Sequence, residues 1–412
     1  MPLLQDDPPT KPVNRLAKIG DFRGVAAYAL DVPESIPALG YGSHQFFRYY
    51  GKFPSVVGSE IVARHATADD SVLDCYAGSG TTLVEAQSAG LRSFGIDINP
   101  LGVLASNVKT AYPQGRPLIE GLERVLRRVG DPKAAPAEPR AMSKARLSKW
   151  FNPKALKELG LLRDALLVEP LGITREFLLT AFLGIVRRVS TAHDGEVRPH
   201  VNREKSPRPA IPAFKKKALE MISALPEINE RRAEGIEARC VLGDSRDPLT
   251  YERLLQGHRP GLVVAHPPYL NSFNYLQVFS LEFAWAEDFS ELWGPMGIEQ
   301  VRAAEHRAWP ATNEKVRNSY YADFRSAMEC ASTAAGPDAR FVIVIGDATV
   351  RGDLEPVHSK FWDILLGLDL RPCEIWFRTT HYGIGKYAYR HRADYHGDGA
   401  RKRDAVLVFA HS

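Results

Sequence analysis

Apolar residues follow two alternating patterns near both ends of this chain and a different one in its middle. Short apolar runs bounded by Asp, Gly or Pro read as strands buried on both faces: Ser71 to Asp74, Arg92 to Asp97, Arg239 to Leu242, Leu262 to Ala265 and Arg340 to Asp347. Between and after them, helical spacing predicts helices over Ser59 to His65, Leu83 to Gly90, Tyr251 to Gln256, Tyr275 to Asp288, Tyr320 to Thr333 and Pro356 to Leu368, with Gly90 as a C-terminal cap. Cys373 to Arg378 and Ala405 to Ala410 read as a closing pair of strands. Strand and helix taking turns predict an α/β fold around a parallel sheet.

The alternation divides the chain. Residues 1–40 read as an N-terminal arm, loosely held up to about Pro33, and residues 41–110 as the first part of the α/β unit. Residues 111–237 interrupt the pattern and read as a mainly helical, basic insertion, with helices over Pro153 to Val168 and Thr174 to Val189 and a linker marked by Pro132, Pro136 and Pro139. The apolar stretch Phe177 to Val186 reads as core. Residues 238–412 resume the unit, with Glu299 to Asn318 a lid or a linker within it. No internal repeat emerges.

Charge sharpens this division. The net charge of +4 is mild, but Arg198 to Lys217 holds seven Lys or Arg against one acid, and Arg378 to Arg403 holds seven against two with four tyrosines interleaved. Such runs are solvated faces in most proteins, and candidate backbone contacts beside nucleic-acid chemistry. With 412 residues, 44 % hydrophobic and 25 % charged, the composition is that of a globular protein. Cys75, Cys240, Cys330 and Cys373 form no Cys-x-x-Cys pair, so neither a zinc site nor a disulfide framework is suggested. The N-terminus has no signal-peptide core, and Phe177 to Val186 is too short to span a bilayer. A cytoplasmic protein without membrane attachment is expected.

Candidate chemistry begins at Cys75-Tyr76-Ala77-Gly78-Ser79-Gly80-Thr81-Thr82, between a strand and a helix. Its glycines allow a tight turn and close backbone approach to a ligand, and Asp97 ends the next strand 17 residues beyond Gly80, near the spacing at which such folds bind ribose hydroxyls. The loop lacks the Lys-Ser or Lys-Thr of a triphosphate loop, and Asp74 beside it would repel a pyrophosphate. S-adenosylmethionine, with a sulfonium, an ammonium, a ribose and no phosphate, suits the acidic strand ends Asp74, Asp97 and Asp244 better. Each of these acids could instead cap a turn, Asp244 above all. The second candidate is His266-Pro267-Pro268-Tyr269, where two prolines stiffen the loop after a buried strand.

Phe53-Pro54, the block from Val72 to Ala86, Gly95 to Pro100 and His266 to Tyr269 together resemble the prokaryotic site-specific DNA amino-methyltransferases, over roughly residues 41–110 and 238–350. The resemblance implies a Rossmann-like class I methyltransferase sheet with the inserted region recognising the target. It implies a cofactor, S-adenosylmethionine, held by Asp74, Cys75, Tyr76, Ala77, Gly78, Ser79, Gly80, Thr81 and Thr82. Asp97, with Ile98 and Asn99, would hold the ribose, Asp244 and Ser245 the adenine, and Phe53 with Pro54 the methionine end. His266, Pro267, Pro268 and Tyr269 would grip the target base, with Tyr269 stacking on it after the base is flipped from the duplex. Phe273 or Tyr275 would support the pocket or fill the gap.

His266 departs from the family, whose adenine-modifying members usually carry Asp or sometimes Asn here and whose cytosine-modifying members usually carry Ser or Thr. Neutral imidazole accepts one hydrogen bond, so activity is compatible with it, and because the acid-specific adenine pattern is absent, cytosine N4 is the expected target. The alternatives are adenine N6, an RNA amino-methyltransferase, and a cofactor-binding DNA-binding protein without catalysis. Double-stranded DNA is the expected partner, a cognate restriction endonuclease another candidate, and the protein a monomer or homodimer. Candidate DNA contacts are Arg187, Arg188, Arg203, Lys205, Arg208, Arg378, Lys386, Arg390 and Arg392, although Arg187 and Arg188 also suit charge compensation at a helix C-terminus.

Overall fold

Val72, Leu73, Val263 and Val264 are wholly buried, because the short apolar runs that contain them lie in the middle of a sheet covered on both sides. The computed structural model describes residues 15–32, 38–137, 147–272, 274–294, 296–379 and 404–412. In chain order its strands are β1 (Leu16–Phe22), β2 (Val25–Asp31), β3 (Ser71–Asp74), β4 (Arg92–Asp97), β5 (Ala238–Leu242), β6 (Leu262–Ala265), β7 (Arg340–Gly346), β8 (Ala348–Val350), β9 (Asp353–Glu355), β10 (Leu370–Thr379) and β11 (Asp404–His411). Nine of them form one sheet in the order β1-β2-β10-β11-β7-β6-β3-β4-β5, and β8 and β9 pair separately.

From β5 through β4, β3 and β6 to β7 every pairing is parallel, and β11 runs antiparallel between β7 and β10. The chain travels outward from β3 to β4 and β5, then returns to the other side of β3 to lay down β6. The order therefore reverses between β3 and β6. Such a reversal opens a crevice at the carboxyl ends of the strands, and this Rossmann-like arrangement is the α/β fold that the alternation predicts.

Alternate side chains of the strands feed the two faces. Leu73, Phe94, Val263, Phe341 and Ile343 pack under helices Pro248–Leu255, Glu314–Ala334 and Val357–Leu366. Val72, Leu262, Val264, Val342 and Trp376 pack under helix Ser55–His65. The predicted insertion is helical, with Gly115–Val129, Pro153–Leu167, Ile173–Val186, Ala210–Ser223 and Leu225–Glu230. Asn152 starts the second of these, accepting from the backbone N–H of Ala155 at 2.8 Å ahead of Pro153. Phe177 to Val186 lies in the core as expected. That core also takes in Phe46, Phe47, Tyr49, Tyr50 and the stretch Val278 to Trp293, so the insertion packs directly on the α/β unit.

Two expectations change. Residues 16–31, read as part of an arm, are strands β1 and β2, with β2 parallel to β10. Edge strand β1 buries little beyond Leu16, so its apolar alternation is nearly invisible in sequence. The expected helix Tyr275 to Asp288 is two helices, Tyr275–Val278 and Ser280–Ala286, broken at Phe279. The Val278 carbonyl there accepts from the guanidinium of Arg187, and the Phe279 ring is buried against Phe47, Tyr49 and Tyr50.

Candidate active site

Because β3 and β6 pair in register, Leu73 beside Val263 and Asp74 beside Val264, the segments that follow them leave the sheet side by side. The Cys75 N–H donates to the Val264 carbonyl at 3.1 Å, and the glycine loop then folds over β4 through Ala77 N–H to the Ile96 carbonyl at 3.0 Å. Gly80 is left-handed at φ 79°, and a methyl group on it would collide with Ser106, so the turn requires glycine. Asp97 organises the loop from below: one oxygen accepts from Gly78 N–H at 2.7 Å, the other from Asn99 N–H at 2.8 Å. Burial pushes its carboxyl up to about 6, against the pull of those two donors. Asp74 is 1 % exposed and lies beneath the loop, where burial pushes it up to about 7 although the Tyr76 N–H donates to it. Behind the loop the fully buried Lys109 donates to the carbonyl and the hydroxyl of Ser79, each at 2.8 Å, and burial holds its ammonium well below the usual lysine range.

The proline turn is fixed as firmly. His266 is half-buried, its ring 5.1 Å from Phe53 and 5.2 Å from Tyr269, edge-on to both. The Pro268 carbonyl accepts from the hydroxyl of buried Tyr320 at 2.9 Å. Tyr269 packs on the bare backbone of Gly346, where a Cβ atom would come within 2.5 Å of its ring. Asn271 then ties the turn to two other segments, through its N–H to the Ala308 carbonyl at 2.7 Å and its side-chain amide to the Thr349 carbonyl at 2.9 Å.

Loop and turn open into one cleft, about 920 Å³ when the open solvent in front of it is counted. Among the candidate residues, Phe53, Cys75, Tyr76, Ala77, Gly78, Ser79, Thr81, Asp97, Ile98, Asn99, Asp244, Ser245, His266, Pro268 and Tyr275 line it. Pro54, Asp74, Gly80, Thr82, Pro267 and Tyr269 are not among the residues that line it. Asp244 faces the cleft with its carboxylate engaged, accepting from Arg246 Nε at 2.9 Å and Nη2 at 2.7 Å.

The cleft also has a wall that the sequence did not announce. Tyr49 stacks on Tyr275 at 5.8 Å and its oxygen accepts from Asn99 Nδ2 at 3.2 Å. Glu305 and His306, in the region read as lid or linker, complete this wall. Glu305 accepts from the Tyr275 N–H at 2.7 Å, and burial raises its carboxyl. His306 Nε2 lies 2.9 Å from the Tyr320 carbonyl and Nδ1 3.3 Å from the Tyr76 hydroxyl, while burial pushes the ring down to about 4. The ring is thus neutral, donating to the carbonyl and accepting from the phenol. The signals available were the aromatic run at Tyr49 and the adjacent acid and histidine at 305 and 306, neither of which carries a motif.

Three of the basic candidates are corrected. Arg187 is 5 % exposed, and its guanidinium donates to the Tyr50 hydroxyl at 2.6 Å and to the Glu196, Val197 and Val278 carbonyls. Its guanidinium lies inside the helical core, with Nε 3.7 Å from Glu282. Lys205 Nζ donates to the carbonyls of Arg187 and Ala192 and to Asp194, holding its own loop. Arg378 is paired with Asp404 at 2.6 Å, both side chains under 10 % exposed. Arg188, Arg203 and Arg208 are exposed. Phe273, Lys386, Arg390 and Arg392 lie outside the described residues. Among the described residues no cluster of His, Cys, Asp and Glu could hold a metal ion, and no helix is long and apolar enough to cross a membrane.

The residues fit S-adenosylmethionine. Asp97 has lone pairs left to accept hydroxyls, the loop offers close backbone approach, and Tyr49, Phe53 and Ile98 supply apolar surface. A family model described as DNA methylase matches residues 35–105. The Type II methyltransferase M.MjaII of Methanocaldococcus jannaschii is 39 % identical over 66 residues, which is 16 % of this chain and 12 % of that protein. Among solved structures, the rRNA methyltransferase aviRa from Streptomyces viridochromogenes is 12 % identical with a TM-score of 0.34, over 88 % of either chain. TrmN from Thermus thermophilus is 10 % identical with a TM-score of 0.31, over 88 % of this chain and 50 % of that one. The likeness to DNA methylases is carried by residues 35–105, the segment that brings Phe53, the glycine loop and Asp97 to the cleft.

Proposed function

We propose that the chain is an S-adenosylmethionine-dependent amino-methyltransferase of duplex DNA, with cytosine N4 the favoured acceptor and adenine N6 the alternative. The observation that carries this reading is the meeting of the glycine loop and the proline turn in one cleft, from adjacent strands, with Phe53 against the His266 ring. S-adenosylmethionine, when bound, supplies a methyl group on a positively charged sulfur. An exocyclic amino group is a poor nucleophile because its lone pair is delocalised into the base. A lone pair on the His266 imidazole accepts one N–H of that group, localising the amino lone pair and orienting it for in-line transfer. As the carbon–nitrogen bond forms and the carbon–sulfur bond breaks, one amino proton leaves along the same hydrogen bond. The favoured target follows from the absence of an acid at position 266, since a carboxylate is the usual partner of adenine in the family that the motifs resemble.

The acceptor base has to leave the duplex to reach the cleft. Tyr275, on the lining of the cleft, is suited to receive it, with Tyr269 closing the turn beside it, and the inserted helices of residues 111–237 are the proposed target-recognition region. The experiment is transfer of labelled methyl groups to duplex DNA of mixed sequence and to structured RNA, side by side. Duplex DNA is expected to accept label and RNA not; label on RNA alone would move the assignment to an RNA amino-methyltransferase. His266→Ala is expected to lower the rate by about 10²- to 10³-fold with S-adenosylhomocysteine affinity nearly unchanged. An unchanged rate would remove His266 from the mechanism.

A further inference from the structure

Trp309 is 42 % exposed, while Trp285, Trp293, Trp362 and Trp376 are buried and Trp150 is half-buried. Its loop, residues 305–313, leaves the cleft wall at Glu305 and His306 and is held rigidly. The Ala308 carbonyl accepts from Asn271 N–H at 2.7 Å, Ala311 N–H donates to Asn271 Oδ1 at 3.3 Å, and the Ala311 carbonyl accepts from Arg317 Nη1 at 2.7 Å. The exposed indole is therefore fixed to the turn that carries His266 to Tyr269. From the other side, Arg198, in the predicted basic segment of the insertion, places its guanidinium 4.6 Å from the Trp309 ring centroid. Arg307 is exposed two residues away, and exposed Arg351 donates to the Thr312 carbonyl at 3.2 Å. Among the described residues no carboxylate lies within ion-pair distance of Arg198 or Arg307.

An exposed aromatic ring on a tethered loop, with the Arg198 guanidinium over it and further arginines exposed along the neighbouring chain, suits a partner that offers flat rings and negative charge together. That combination is a nucleic acid: bases stack on aromatic side chains, and arginine meets phosphate. A protein partner would call for a wider apolar patch than one indole among cations. We infer that Trp309 and Arg198 form a contact for target DNA at the rim of the cleft, the indole stacking on a nucleobase beside the one drawn in and the guanidinium meeting the adjoining phosphate. The contact joins the insertion to the catalytic turn across the path of the duplex. This inference rests on the proposed DNA amino-methyltransferase reading and adds to it the two side chains that hold the target's flank.

The test uses the full-length protein with S-adenosylhomocysteine and mixed-sequence duplex DNA. Adding duplex is expected to quench tryptophan fluorescence, and Trp309→Phe to lose most of that quench while keeping most of the duplex affinity. Trp309→Ala is expected to weaken duplex binding about tenfold, which is ~1.4 kcal/mol, with S-adenosylhomocysteine affinity unchanged. Arg198→Gln is expected to lower the salt dependence of duplex binding by about one phosphate contact. Wild-type affinity in Trp309→Ala, for an enzyme that binds and methylates duplex DNA, would overturn the inference. An equal loss of binding to poly-glutamate would overturn it too, by showing a generic polyanion surface. If instead the wild-type protein binds S-adenosylhomocysteine but neither binds nor methylates duplex DNA, the functional reading fails first, and this contact fails with it.

Discussion

Asp97 and Arg187 are both charged residues singled out by sequence, and the structure gives them opposite work. Asp97 faces the cleft with its carboxyl raised to about 6 by burial. Ligand hydroxyls favour its ionised form, so affinity for S-adenosylhomocysteine is expected to rise as pH increases from 5 through 6 and to gain little from this group above 7. Titration calorimetry across that range checks it, and Asp97→Asn should bind more weakly with a flatter profile. In the unliganded protein stability has the opposite pH trend to affinity. Asp74 and Asp97, raised to about 7 and about 6 against roughly 4 when unfolded, favour the folded state in acid, and that contribution is lost as pH rises through their folded values. Arg187 belongs to the core. Arg187→Ala leaves buried Glu282 without its cation and is expected to cost about 3–5 kcal/mol, visible as a lower Tm, with the salt slope of DNA binding unchanged. Sequence could find the Arg187-Arg188 pair but not which member turns inward; on a helix surface adjacent residues diverge by about 100°, and here Arg187 is buried and Arg188 exposed.

The strands legible in sequence were those buried on both faces, because an apolar run between turn residues has few other readings. The hairpin of β1 and β2 escaped because its stability comes from backbone pairing with β10 and from a few inward side chains such as Ala27 and Leu30. Deleting residues 1–31 would expose the edge of β10 and the apolar residues beneath the hairpin. Loss of soluble yield and a lower Tm are expected, as an unpaired edge invites association; a truncated protein as stable and monodisperse as the full chain would show the hairpin to be dispensable. The break at Phe279 was equally hidden, since helical spacing runs through it and only the Arg187 guanidinium, from a distant helix, draws the Val278 carbonyl away.

Across the whole molecule, the loop, the acid and the turn could be placed in one cleft from sequence because a doubly wound sheet brings successive strand ends to one edge. The facing wall of Tyr49, Glu305 and His306 could not be read, because it is assembled from segments far apart in the chain and its members act through burial and hydrogen bonds. In the proposed reading that wall would receive a flat, partly apolar guest, as transfer to a nucleobase requires. The most direct measurement is mass analysis of nucleosides from mixed-sequence duplex DNA incubated with the protein and S-adenosylmethionine. N4-methylcytosine, absent without the protein and strongly reduced with His266→Ala, is the expected result. N6-methyladenine in its place would correct the target base, and neither product from a protein that binds S-adenosylhomocysteine would contradict the account.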